Sequence, residues 1–175
     1  MTGAETTAPI RSWAELYTVA DELTLRAQTG GALAVQGELE VVLPEARAAG
    51  AHRVVHRLLY ASALSAARLE SLDECTAACD ELAAEAGDRV ANRGWLSSSH
   101  SLKAVVRIIE GRKQQAMEEL LEAAVALHET PTEGPAHMYA INGLGVGYLG
   151  VGLYELATEL YDGVAEKVRI GEFKL

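Results

Sequence analysis

The feature that most constrains this chain is an internal repeat of 40 or 41 residues. Segments that begin at Gly30, Glu70, Gly111 and Gly152 align when each is read from a turn into a helix. Five residues past the turn stand Val35, Cys75, Ala116 and Ala157. Nine past it stand Leu39, Cys79, Leu120 and Tyr161, and twelve past it Val42, Leu82, Ala123 and Val164. Offsets of 5, 9 and 12 fall on one face of a helix, so each unit carries a helix with one buried stripe. A second helix precedes each turn. Seven residues before the turn stand Leu23, Ala63, Ala104 and Gly145, three of them small, as close packing of paired helices requires. Eleven before stand Val19, Leu59, His100 and Ile141. The pattern predicts eight helices, near 12–28, 32–48, 52–69, 72–86, 90–109, 112–128, 136–150 and 153–169. It therefore predicts an all-α solenoid of about four antiparallel hairpins, because stacked repeats bury faces that no single repeat can bury alone.

Composition agrees with helices. Of the 175 residues 49% are apolar, and the weight falls on Ala, Leu and Val, with a single phenylalanine, Phe173. Ala and Leu favour helix. The prolines at 9, 44, 131 and 135 are read as lying outside the long apolar-periodic stretches. The two prolines at 131 and 135 mark a turn over 129–135, not a domain boundary. Ser12 with Glu15 and Ser71 with Glu74 are read as helix N-caps in capping-box register. Residues 1–11 read as a flexible tail, 12–170 as the repeat domain, and 171–175 as an end truncated from a longer protein. The eighth helix still carries Leu153, Leu156, Leu160, Tyr161 and Val164, an apolar face that a solenoid ordinarily caps.

The formal charge of −10 and the absence of a basic run argue against direct nucleic-acid binding. The polar start and the lack of an apolar run of spanning length argue against a membrane segment and a signal peptide, which predicts a cytoplasmic protein. Cys75 and Cys79 read as reduced core thiols rather than metal ligands, since two more ligands would be needed. His52 and His56 share a helix face, but no third ligand is evident, so they read as surface or partly buried histidines and no metal is expected. The glycines at 143, 145, 147, 150 and 152 read as close helix packing rather than a phosphate loop, which would need a preceding strand. Their cost in a helix predicts that the seventh helix is the least regular. No catalytic signature is present, so neither an enzyme nor a cofactor is expected.

The last unit reads Ile141-x2-Leu144-Gly145-x2-Tyr148, then Gly152-x-Tyr154-x2-Ala157-x3-Tyr161. This resembles the tetratricopeptide repeat family, in a longer-helix form. The third unit keeps Ala104, Gly111, Ala116, Leu120 and Ala123, but has His100 and Lys103 where the family places apolar residues. The first two units follow it mainly in periodicity. The resemblance implies a binding module for a protein or peptide, with ligands lying along the first helix of each hairpin. Those positions hold Tyr17, Arg57, Tyr60, Arg68, Ser98, Ser101, Tyr139 and Asn142, residue types suited to stacking and hydrogen bonding. Arg57 and Arg68 are fitted to pair with a carboxylate. The resemblance places a backbone-clamping asparagine at Asn142. The competing expectation is intramolecular, with arginines satisfied by the acidic surface and tyrosines as packing.

The bias toward Ala, Arg and Gly resembles proteins of high-GC actinobacteria. In such proteins similar stacks precede a diguanylate cyclase or a helix-turn-helix transcription domain, which implies the N-terminal regulatory region of a signalling protein. Two other readings stand beside it: a scaffold that pairs as a homodimer through its C-terminal helices, and a small-molecule receptor.

Overall fold

The computed structural model describes residues 11–130 and 134–169. The expected N-terminal tail lies outside them except for Arg11, as do the expected C-terminal end and the centre of the 129–135 turn. The described residues form eight α-helices: α1 (Trp13–Thr29), α2 (Ala32–Ala48), α3 (His52–Arg68), α4 (Leu72–Ala86), α5 (Arg93–Ile109), α6 (Lys113–His128), α7 (Pro135–Val151) and α8 (Tyr154–Arg169). The protein is all-α, as its periodicity predicts.

The four repeat turns share one backbone solution. The N–H groups of Gly31, Ser71, Arg112 and Leu153 donate to the carbonyls of Arg26, Ala66, Arg107 and Tyr148, at 2.9, 2.9, 2.8 and 2.8 Å. Each bond spans five residues and satisfies a carbonyl that the helix end leaves without a partner. It requires a left-handed residue just before the donor. Gly30, Glu70, Gly111 and Gly152 supply it, with φ of 118°, 59°, 75° and 87°. Glu70 alone does so with a side chain, which costs about 1–2 kcal/mol in this region. Part of that cost is offset because glycine loses more freedom on folding. Glu70→Gly is therefore expected to stabilise the protein by about 0.5–1 kcal/mol. Urea unfolding checks it, and a variant no more stable than wild type would show that Glu70 is unstrained.

Helix starts follow the sequence unevenly. Ser12 forms the predicted capping box: its N–H donates to the Glu15 carboxylate at 2.7 Å, and its hydroxyl accepts from the Glu15 N–H at 3.4 Å. Ser71 does not cap α4 with its side chain. Its backbone at φ −82° and ψ 71° is committed to the shared turn instead. The fifth helix starts at Arg93 rather than 90. Val90–Asn92 make a separate 3₁₀ turn, and the Asn92 side chain donates to the Ala86 carbonyl at 2.9 Å, tying the turn to the end of α4. Pro44, read as lying outside the long apolar-periodic stretches, lies inside α2, within the helix predicted over 32–48. It is exposed there, so the carbonyl freed by its missing N–H faces water.

The first helices of the repeats form one contiguous row, α1 on α3, α3 on α5 and α5 on α7. Each second helix packs against the first helix before it and the one after it, and α8 packs on α7. One apolar core runs through α1–α5 around Leu16, Leu23, Val35, Leu58, Leu59 and Leu82. A second, smaller core joins α5–α8 through Ala104, Ala116, Leu120, Ala123, Leu144 and Val151. Both cysteines are buried and reduced in the first core, as expected. Cys75 and Cys79 share a hydrogen bond, which holds the Cys75 thiol below its ordinary pKa and pushes Cys79 up.

The seventh helix is not irregular. It runs unbroken through 17 residues, because its glycines are filled from outside. A Cβ on Gly145 would lie 2.3 Å from the Tyr161 ring, one on Gly147 2.3 Å from a Leu120 methyl, and one on Gly150 2.8 Å from an Ile108 methyl. These neighbours occupy the space that side chains would take, in agreement with the packing reading. His100 and Lys103, at positions expected to be apolar, are accommodated by one acid. Glu119 of α6 accepts from His100 Nδ1 at 2.7 Å and lies 3.6 Å from Lys103 Nζ, which also reaches Asp80 of α4 at 3.2 Å. Burial pushes the Glu119 carboxyl up, but His100, Lys103 and Arg107 outweigh it and hold the carboxyl below its ordinary range.

No helix among the described residues is long and apolar enough to cross a membrane. On the last hairpin Tyr154 and Leu156 are exposed, while Leu153, Leu160, Tyr161 and Val164 are half-buried.

Candidate functional site

The row of first helices converges on α3. Residues 54–61 of this helix are all buried, since α1, α2, α4 and α5 surround it. This enclosed stretch must bury whatever ionisable residues it carries, and among them are His56 and Arg57. Arg57 is 4% exposed. Its guanidinium carbon lies 4.7 Å from the centre of the Tyr17 ring on α1 and 5.9 Å from that of Tyr139 on α7. Its charge is met by the carboxylate of Asp21, whose side chain is half exposed. A cation between two ring faces gains from both quadrupoles, and more so when desolvated. Helices α1, α3 and α7 thus meet around one arginine.

Aromatic rings continue from this clasp. Tyr139 stacks on Tyr60 with centroids 4.8 Å apart, and Trp95 of α5 lies 5.8 Å from Tyr139 and 6.1 Å from Tyr60. The His56 ring is 6.2 Å from Trp95. Burial pushes the Tyr60 and Tyr139 hydroxyls above their ordinary pKa, with Arg57 pulling Tyr139 back in part. Both phenols stay neutral donors at physiological pH.

Of the eight predicted site residues, the structure brings together Tyr17, Arg57, Tyr60 and Tyr139. Arg68 adjoins them: its guanidinium donates to the carbonyl of Gln28, whose side chain bonds the Tyr60 hydroxyl. Ser98 and Ser101 are fully buried, so neither faces an open groove. The Ser98 hydroxyl donates to the Gly94 carbonyl at 2.9 Å, and Ser101 packs against Gly143 of α7. Asn142 is exposed, and its main-chain carbonyl accepts from the Tyr161 hydroxyl at 3.4 Å. None of these contacts joins Asn142 to the cluster. Asp21, His56 and Trp95 complete the cluster and were not predicted. A signal for Trp95 exists: sixteen residues before each turn stand Ala14, Val54, Trp95 and Ala136, so one large ring sits in a column of small residues.

The intramolecular expectation accounts for much of the arginine set. Arg26 pairs with Glu38 at 2.7 Å, Arg11 with Glu45 at 2.7 Å and Arg93 with Glu129 at 3.2 Å. Such half-exposed pairs add little stability each. Two shallow hollows lie on the surface, one at Arg112, Lys113, Gln114, Gln115 and Glu118, the other between α1 and α2. Neither includes the aromatic cluster. His52 is exposed, whereas His56 is 2% exposed rather than at the surface. Among the described residues no group of three or more His, Cys, Asp or Glu side chains is placed to hold a metal ion.

Burial lowers the His56 pKa below the ordinary 6.5, against the raising effect of Glu85. The folded chain then binds this proton less readily than the unfolded chain. The stability that neutral His56 allows is fully present above pH 6.5 and is lost as pH falls below it, because the unfolded state protonates first. Urea midpoints measured on either side of that pH are expected to decline on the acid side, and His56→Gln to flatten part of the decline. An unchanged slope in the variant would assign the loss to other groups.

The chain matches no protein-family model, no curated protein and no solved structure.

Proposed function

We propose that this chain is a protein- or peptide-binding module, a right-handed α-solenoid of four hairpins of the tetratricopeptide kind. The identical turn bonds and the row-on-row packing support the solenoid reading. The observation that carries the binding reading is Arg57, a desolvated cation clasped by Tyr17 and Tyr139, with Asp21 at its half-exposed edge. A carboxylate of a bound peptide replaces Asp21 there, and the exposed part of Tyr17 packs against the peptide. Asp21 is in this reading an internal competitor. Asp21→Asn is expected to tighten binding of peptides with a free terminal carboxylate several-fold, and amidation of those peptides to abolish it. Fluorescence anisotropy reads both. Equal binding of amidated and free peptides would sink the carboxylate reading.

We further read the module as the regulatory N-terminal region of a cytosolic bacterial signalling protein, on the resemblance of its last repeat and its composition. A reading frame past Leu175 that encodes no effector domain would remove that reading.

A second reading is favoured by the last hairpin. Val146 is 46%, Leu149 44%, Tyr154 65% and Leu156 44% exposed. Two copies that pair through α7 and α8 cover these side chains. Sedimentation tests this, and a monomer at high concentration excludes it.

A further inference from the structure

The second helices present a surface column six, ten and fourteen residues past each turn. In α2 it holds Gln36, Glu40 and Pro44, in α4 Thr76, Asp80 and Ala84, and in α8 Thr158, Asp162 and Glu166. In α6 it holds Met117, Leu121 and Val125, which are 39%, 65% and 50% exposed. Three of the four repeats fill this column with polar or small residues, so the fold itself demands nothing apolar there. The spacing i, i+4, i+8 aligns the three side chains into one ridge. The packing of α6 uses another face, through Ala116, Leu120, Ala123 and Ala126. Beside the ridge, three residues before each of its members, run Gln114, Glu118 and Glu122, all exposed.

We propose that the α6 ridge docks an amphipathic helix of a partner protein whose apolar stripe is edged by Lys or Arg. The stripe covers Met117, Leu121 and Val125, and the basic edge meets Glu118 and Glu122. Charge selects this occupant. A second copy would set Glu118 and Glu122 against their own counterparts in a chain of net charge −10. An anionic membrane surface is repelled in the same way. The ridge lies on a second helix and the Arg57 clasp on first helices, so the two binding readings stand or fall separately.

The test uses the full chain and two synthetic helical peptides in amphipathic register, one of Leu and Lys, the other of Leu and Glu. Binding is read by fluorescence anisotropy at about 0.15 M salt, where surface charge is largely screened beyond ~8 Å. The Leu–Lys peptide is expected to bind and the Leu–Glu peptide not to. The double variant Leu121→Gln/Val125→Gln leaves the charge unchanged and is expected to weaken binding about tenfold or more, with its thermal midpoint retained. Glu118→Lys/Glu122→Lys is expected to reverse the peptide preference. Equal binding of the Leu–Lys peptide to wild type and the Gln double variant would overturn the proposal, since charge alone would then suffice. No binding to wild type would overturn it as well. So would self-association of wild type that the Gln double variant abolishes, which would make a second copy the occupant.

Discussion

Trp95→Ala is expected to cost about 3–5 kcal/mol, the range for deleting a buried large aromatic. Trp95 is 7% exposed and touches the rings of His56, Tyr60 and Tyr139, so its removal opens a void between α3, α5 and α7. A domain of this size is stable by about 5–15 kcal/mol, so the variant is expected to lose much of its cooperativity or unfold. Urea unfolding followed by circular dichroism measures it. The control is Trp13→Ala, whose side chain is 64% exposed and whose loss is expected within about 0.5 kcal/mol. A Trp95 loss under about 1 kcal/mol would mean that the three rings close over the gap, and that Trp95 does not hold the cluster together.

Gly94→Ala is the second large effect. Its Cβ would stand 2.8 Å from the Ala136 carbonyl carbon and 2.9 Å from the Ala136 Cβ and oxygen. These are backbone atoms and the root of a side chain, so no rotamer relieves the clash and α5 must move from α7. Overpacking of this kind costs about 1–3 kcal/mol, against a helix-propensity gain of about 1. The expected net result is a destabilised protein in which Trp95 and Tyr139 also separate, read as a change in near-UV circular dichroism. Gly37→Ala is the matched control. Gly37 is exposed inside α2 and its added Cβ meets nothing within 4 Å, so a gain of up to about 1 kcal/mol is expected. A Gly94→Ala protein as stable as Gly37→Ala would show that α5 and α7 are not in close contact at this point.

The placement of the helices was legible because each is marked locally. Apolar positions recur every three or four residues, and a left-handed residue with its five-residue bond closes each turn. Where the prediction slipped, another local group intervened. Asn92 held back the start of α5, and the turn geometry took Ser71 away from capping. The candidate site was legible only in part. Tyr17, Arg57, Tyr60 and Tyr139 were found because they occupy equivalent helix positions. Ser98 and Ser101 occupy such positions too, but the closeness of α7 buries them. Asp21, His56 and Trp95 escaped because periodicity states which face a residue is on, not which distant helix arrives there.

The repeat thus remains where the sequence speaks with most force. By itself it determined eight helices, their turns, and the stripe that each second helix buries, because helical periodicity and the turn bonds are local properties of the chain. Only the tertiary structure decided that α1 and α7 meet on Arg57, that α7 stays regular because Tyr161, Leu120 and Ile108 fill its glycines, and that the stripe of Met117, Leu121 and Val125 is left to solvent. Those outcomes depend on which helices, distant in sequence, pack together. Side-chain volumes at the helix contacts set that packing, in a way no single segment encodes.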